Sequence, residues 1–364
     1  MRPQQRLLLP ALLLLFFLPA CSDSSTGSRS GERLFADLTC SIPENDILDG
    51  GVGIDGIPSV QNPPLVLANA PGAAYLEPSD RIIGLVLDGQ PVAIPHNILW
   101  WHEIANLDLD SGERLAVTYC PLTGTSMVFD RAPVDGAELG VSGLLFRSNL
   151  IMFDRQSGQS LWPQMLRGAR CGPADGTELP MVASLEMTWQ GWQALHPSTQ
   201  VVSSELGFAR NYRLYPYGDY ERATNAQTLV PLGGLDERRP PKERILGIPT
   251  LGGGGIAFPF FELNALGMRG VVHPESAPDQ VVVFWDREVE GAMAYRPTLD
   301  GESLVFHVVD GRILDQASGS QWRIDGVAVE GPLAGRALEP IDEAYVAFWF
   351  AWADFHPETE LWLP

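Results

Sequence analysis

The chain has 364 residues, 45% hydrophobic and only 19% charged, with 30 Pro and 37 Gly, which suits two cores built from short elements and many turns. Its 24 basic residues stand against 45 acidic ones, a formal charge of −21. That balance excludes a nucleic-acid binder, which needs a basic face for phosphate, and it excludes electrostatic docking on anionic lipid.

Arg2 and Arg6 precede an apolar run at 7–18, shorter than a membrane-spanning helix requires. Leu18-Pro19-Ala20-Cys21 then resembles a bacterial lipobox, in which the Cys is lipidated and becomes the first mature residue. The expected order is a signal peptide over 1–20, a lipid at Cys21 and a flexible polar tether over 21–31. The membrane is then a partner through the anchor, and the chain sits on the periplasmic or extracellular face of a bacterial envelope. An ordinary secretory signal with an incidental Cys21 is the alternative. Export places Cys40, Cys120 and Cys171 in oxidising surroundings, where one disulfide and one leftover thiol are expected.

Residues 32–76 are rich in Pro and Gly turn signals and read as an irregular lead-in packed on the first domain. Strand patterns at 82–87 and 91–94 flank Asp88-Gly89 as a hairpin. Helical spacing over 96–105 follows Pro95, and short strands are expected at 115–119, 126–131, 138–141 and 150–154. A short helix at 188–195 stops at His196-Pro197. Residues 203–243 read as a linker whose run Asp236 to Glu243 is solvated by composition.

The rest of the chain repeats what came before. Ser157-Gly158 returns as Ser318-Gly319, Trp162 as Trp322 and Gly172-Pro173 as Gly331-Pro332. Trp189, Trp192 and His196-Pro197 return as Trp349, Trp352 and His356-Pro357. Ala93-Ile94-Pro95 matches Ala257-Phe258-Pro259. The expected fold is α+β: predominantly short antiparallel strands with a few short helices, in two tandem repeats of one domain. Repeat one covers 77–202 and repeat two covers 244–364.

A duplication sorts residues. The tryptophans common to both copies read as core, Asp154 and Asp315 as turn-binding residues, and His196 and His356 as helix stops. Copy one alone has Trp101-His102-Glu103, set against Leu266-Gly267-Met268, and Tyr119-Cys120-Pro121-Leu122-Thr123-Gly124, set against a stretch with no Cys. His, Glu and Cys are residue types that chemistry uses, so a site discarded by the second copy explains these losses together, where ordinary divergence of surface loops would explain them only separately. Cys120 reads equally as a buried apolar residue, as half of a Cys120–Cys171 disulfide, or as a reactive or metal-bound thiol.

At these positions the chain resembles a family of bacterial proteins catalogued as domain of unknown function 3179. The resemblance covers roughly residues 45–222. It rests on Asp55-Gly56-Ile57-Pro58, His102-Glu103-Ile104, Val117 to Leu122, Gly140 to Leu145, Asn149-Leu150, Met152 to Arg155, Leu161-Trp162 and Asn211-Tyr212 to Tyr220. The family's usual Cys-Pro-Leu-Cys-Gly has Thr123 at its second Cys here, which departs from a two-thiolate site; Cys171 would replace that sulfur from elsewhere. The resemblance implies no activity.

The first functional expectation is a metal- or thiol-dependent site built on His102 and Cys120, with Glu103, Thr123 and Cys171 nearby; copper or zinc suits a His102, Cys120, Cys171 set. The second is a non-catalytic envelope protein binding a protein partner or glycan, with Trp100, Trp101 and Trp285 lining a groove. The third is a Cys120 nucleophile hydrolase with His102 as base and Glu103 orienting it.

Overall fold

Asp88 and Gly89 both take positive φ and turn β1 (Arg81–Leu87) back onto β2 (Gln90–Pro95). Pro95, in extended backbone, caps α1 (His96–His102). The helix ends earlier than its spacing predicts, because Glu103 takes φ 56° and the chain turns straight into β3 (Ile104–Asp108). β4 (Arg114–Cys120) and β5 (Thr125–Asp130) continue an antiparallel meander. β6 (Leu139–Phe146) outruns the predicted strand at 138–141 and pairs with β7 (Asn149–Asp154). β8 (Leu185–Thr188), α2 (Trp189–Leu195) and β9 (Gln200–Val202) follow.

The later half runs β10 (Arg244–Pro249), β11 (Gly254–Pro259), α3 (Phe260–Ala265), β12 (Arg269–Val272), β13 (Val282–Asp286) and β14 (Gly291–Tyr295). It ends with β15 (Tyr345–Phe348), α4 (Trp349–Phe355) and β16 (Glu358–Leu361). This computed structural model describes residues 38–156, 159–228, 234–250, 254–277 and 280–364. The expected signal peptide and tether, Cys21 and Ser157-Gly158 lie outside the described residues. No helix among the described residues is long and apolar enough to cross a membrane.

The fold is α+β, mostly strands in several small antiparallel or mixed sheets with four short α-helices among the described residues. A five-stranded sheet runs β8-β1-β2-β9 and ends on Leu65–Leu67. An eight-stranded sheet runs from Val60–Gln61 through β3, β4, β5, β15, β10 and β11 to β16. The two halves therefore share a sheet, joined where Val346 of β15 faces Ser126 of β5. Reciprocally, β8 of the first half packs against β14 of the second.

Tryptophans fill the core as expected. A Cβ on Gly84 would stand 2.4 Å from the Trp192 ring, and one on Gly247 would stand 2.2 Å from Trp352, so glycine lets each strand lie flat on an indole. The Trp192 Nε1 donates to Thr199 Oγ1 at 2.8 Å, and Trp352 Nε1 to Thr359 Oγ1 at 2.9 Å. Asp154 and Asp315 bind the turns that follow them and also accept from the indoles of Trp162 and Trp322, at 2.9 and 3.1 Å.

The run 236–243 is not a solvated linker. Arg239 pairs with Glu243 and Glu262, which draws the run onto α3. Lys242, the one lysine of the chain, is 1% exposed and donates to the carbonyls of Asn225 and Gln227 beneath the Tyr220 ring.

Candidate functional site

Where α1 meets β3, the chain must reverse direction within one residue. Glu103 does so in a conformation usually left to Gly or Asn, which stores strain at that position. Its amide donates to Leu99 O and its carbonyl accepts from Tyr119 N, both at 2.8 Å. The backbone is thus held at both ends. The side chain is not: the carboxyl has no hydrogen bond or ion pair among the described residues, although the residue is 7% exposed. Burial without a partner pushes its pKa up to about 8, so the carboxyl is largely protonated at neutral pH.

Glu103 lies on the wall of a cavity of about 210 Å³. Leu122 follows β4, Val141, Gly143, Leu144 and Leu145 come from β6, and Leu150 comes from β7. Tyr217, from the segment between the halves, closes another side. The remaining wall is the lead-in, at Asp49, Gly50, Val52 and Ile57. It approaches β6 closely: Gly50 N donates to Gly143 O at 2.8 Å and Asp55 N to Val141 O at 2.9 Å. A Cβ on Gly143, at φ 79°, would stand 2.5 Å from Gly53 O, so this approach needs glycine. Every lining residue except Asp49, Gly50 and Val52 lies in a stretch that carries the family resemblance.

Cys120 ends β4 beside this cavity, 1% exposed and free, with its Sγ 3.9 Å from Ser148 O. Burial, reinforced by the neighbouring Glu103, pushes its pKa up to about 11, so it is a thiol and not a thiolate. Burial, then Glu103 and Cys120, also raises the Tyr217 phenol, which ties the three groups to one environment. Behind them, Thr123 Oγ1 accepts from Thr125 Oγ1 at 2.7 Å and from Asn149 Nδ2 at 3.0 Å. Asn149 Nδ2 also reaches Gln164 Oε1 at 2.8 Å, and Gln164 donates on to Thr118 at 2.8 Å. This buried network makes the wall rigid.

His102 does not join the site. It is fully buried, with Nδ1 2.7 Å from Pro58 O and Nε2 2.8 Å from the Tyr212 hydroxyl. The Pro58 carbonyl only accepts, so Nδ1 carries the proton and Nε2 accepts from Tyr212. Burial lowers the His102 pKa, and both nitrogens are spent on anchoring the lead-in and the inter-half segment. α1 ends at His102 and Glu103 turns out of it at φ 56°, which is why the two neighbours serve different surroundings.

Cys171 is also removed from the expected ligand set. It forms a disulfide with Cys40, across 131 residues, and not with Cys120. The pairing follows from the lead-in lying alongside Cys171, with Gly172 N bonded to Thr39 O at 2.9 Å. With His102 engaged and Cys171 oxidised, Cys120 has no partner ligand from the expected set. No group of three or more His, Cys, Asp or Glu among the described residues is placed to hold a metal.

The three tryptophans expected to line a groove do not share one. Trp285 is 1% exposed, Trp100 packs edge-on against Tyr215 at 4.9 Å, and Trp101 lies under Arg210.

A second buried polar cluster has no local motif in the sequence. Glu186 accepts from Arg81 Nε at 2.6 Å and from the Ser126 hydroxyl, while His96 stands 3.4 Å from Ser126 and stacks on Tyr119 at 4.1 Å. Arg244 of the second half approaches Glu186 at 4.0 Å, and Arg81 donates to Glu290 O at 3.2 Å. Burial alone would raise Glu186, but Arg81, His96 and Arg244 outweigh it and hold the carboxyl well below its ordinary range. Glu186, His96 and Ser126 are each at most 3% exposed, so the cluster joins the halves and is not open to a ligand. The signal lay in the matching Pro95 and Pro259, which set His96 against Phe260.

No curated protein and no solved structure matches the chain. The family described as Protein of unknown function (DUF3179) matches residues 54–359, so the match takes in both halves and every motif around the cavity. The chain therefore belongs to the DUF3179 family.

Proposed function

We propose that this is a lipid-anchored envelope protein whose first half carries an acid–base site, with Glu103 as the proton-holding group and Cys120 as a neutral thiol beside it. One observation carries this reading: a buried carboxyl with no partner among the described residues, on a strained backbone, at the wall of a cavity. Strain and an unpaired buried acid both cost stability, and such features are retained where function uses them. A carboxyl that titrates near neutrality can give or take a proton at pH 7, which is what general acid–base work requires. The site stays where the copy-to-copy differences place it, but the chemistry passes from His102 and a thiolate to Glu103.

The second half is a duplicate of the first that has lost the site. Supporting this are the paired Trp–Thr, Trp–Gly and Trp–Asp contacts and the reciprocal packing of β8 on β14 and β15 on β5. Strand register then sets equivalents. Tyr119 faces Ser126 as Trp285 faces Ala292, and Ile104 faces Thr118 as Val271 faces Phe284. Gly270 thus stands for Glu103 and Asp286 for Cys120, so the counterpart of Trp101-His102-Glu103 is Met268-Arg269-Gly270 and not 266–268. An Arg269–Asp286 ion pair at 2.7 Å occupies the place of His102 and Cys120. Ala292 and Val346 replace Ser126 and Glu186.

Proton counting tests the reading. On denaturation at pH 6.5 the wild-type chain should release one proton that the E103Q chain does not. Equal release by both chains contradicts it. For the anchor, mass spectrometry of the mature protein should find lipid on Cys21.

A further inference from the structure

We propose that the Glu103 cavity binds a small, uncharged, largely apolar molecule by its carbonyl oxygen, with Glu103 and Tyr217 as the two hydrogen-bond donors. This rests on the reading that Glu103 holds its proton. The walls at Ile57, Leu122, Val141 and Leu150 are aliphatic, so the body of the ligand gains from burial and not from polar contacts. At about 210 Å³ the cavity is smaller than the roughly 300 Å³ at which drug-sized sites begin, which limits the ligand to about one ring or a short branched chain.

Charge decides the rest. Among the described residues no Lys, Arg or His lines the cavity, while Asp49 and Glu103 do, so an anion finds no counter-charge there. An ammonium group would need several acceptors. The Asp49 carboxylate is exposed and already accepts from Gly51 N at 2.8 Å, so an ammonium would face aliphatic walls. A neutral carbonyl oxygen has no such need. It would accept from two lining groups that make no side-chain hydrogen bond among the described residues: the Glu103 carboxyl and the Tyr217 hydroxyl. An acid kept neutral by apolar surroundings, beside a phenol, is a known means of stabilising a carbonyl oxygen or the negative charge that develops on it. No bond to the ligand is made or broken in this step; it is recognition through hydrogen bonds.

The test uses three probes of one shape: cyclohexanone, cyclohexylammonium and cyclohexanecarboxylate, titrated by ligand-observed NMR against the purified full-length protein at pH 6. Cyclohexanone should bind at least tenfold tighter than either charged probe. E103Q, whose amide still donates, should keep affinity within about threefold, while E103L and Y217F should each lose about tenfold, the share of one hydrogen bond. Wild-type affinity should fall as pH rises past 8, and that of E103Q should not. If E103L fails to fold, the E103Q comparison and the wild-type pH dependence decide the matter. Tighter binding of a charged probe, or no binding of cyclohexanone to a protein whose Glu103 still titrates near 8, overturns the proposal alone. An ordinary Glu103 midpoint overturns the acid–base reading beneath it.

Discussion

The carbonyl of Glu103 accepts a hydrogen bond from the Tyr119 amide at 2.8 Å, which places the acid at the end of the strand that carries Cys120. The corner between α1 and β3 is therefore fixed by backbone, independently of what the carboxyl does.

Replacing that carboxyl is expected to change stability in a pH-dependent way. The folded pKa, about 8, lies above the unfolded value, 4.5, so the native state binds more protons between them. Its stability then falls as pH rises through that window. Integrated over the window, the loss is on the order of 5 kcal/mol above pH 8. E103Q removes the loss, so its urea midpoint should exceed that of the wild type at pH 9 and the difference should vanish near pH 4.

Glu186 has the opposite sign. Its folded pKa is depressed, so its contribution is complete above the ordinary carboxylate range and is lost only as pH falls from there down through the depressed folded value. E186Q leaves the buried Arg81 and the neighbouring Arg244 without their shared anion, which should cost about 3–5 kcal/mol at pH 7. Chemical denaturation should show the full difference from wild type at pH 7 and a smaller but persisting one at pH 3, where the folded carboxyl still holds its charge.

The Cys40–Cys171 bond ties the lead-in, one wall of the cavity, to the first half. C40S should lower stability by about 2–5 kcal/mol, and peptide mapping of the wild type should find the 40–171 link with Cys120 free.

Much of this was legible in the sequence, for identifiable reasons. Local chemistry at Asp88-Gly89, Pro95 and His196-Pro197 marked turns and helix ends, because those signals act over a few residues. The differences around His102 and Cys120 fall at the corner where Glu103 lines the cavity. Which of two adjacent residues faces the cavity was not legible. That depends on Glu103 adopting φ 56°, and on the partners of His102, Pro58 and Tyr212, arriving from distant segments. The disulfide was hidden for the same reason: the path of the lead-in brings Cys40 to Cys171. The Glu186 cluster draws on both halves, so neither half displays it alone.

Cys120 should behave as a buried thiol. With its pKa near 11 and 1% exposure, iodoacetamide at pH 7 should label it only as fast as the protein unfolds, and rapidly in urea. Fast native labelling would restore the thiolate reading.

The central claim is that Glu103 holds a proton at neutral pH. Infrared difference spectra of wild type against E103Q, recorded from pH 4 to 10, follow the carboxylic C=O band of this one residue. The account predicts a band that persists through pH 7 and titrates away with a midpoint near 8. A midpoint near the ordinary 4.5, with no such band at pH 7, contradicts it.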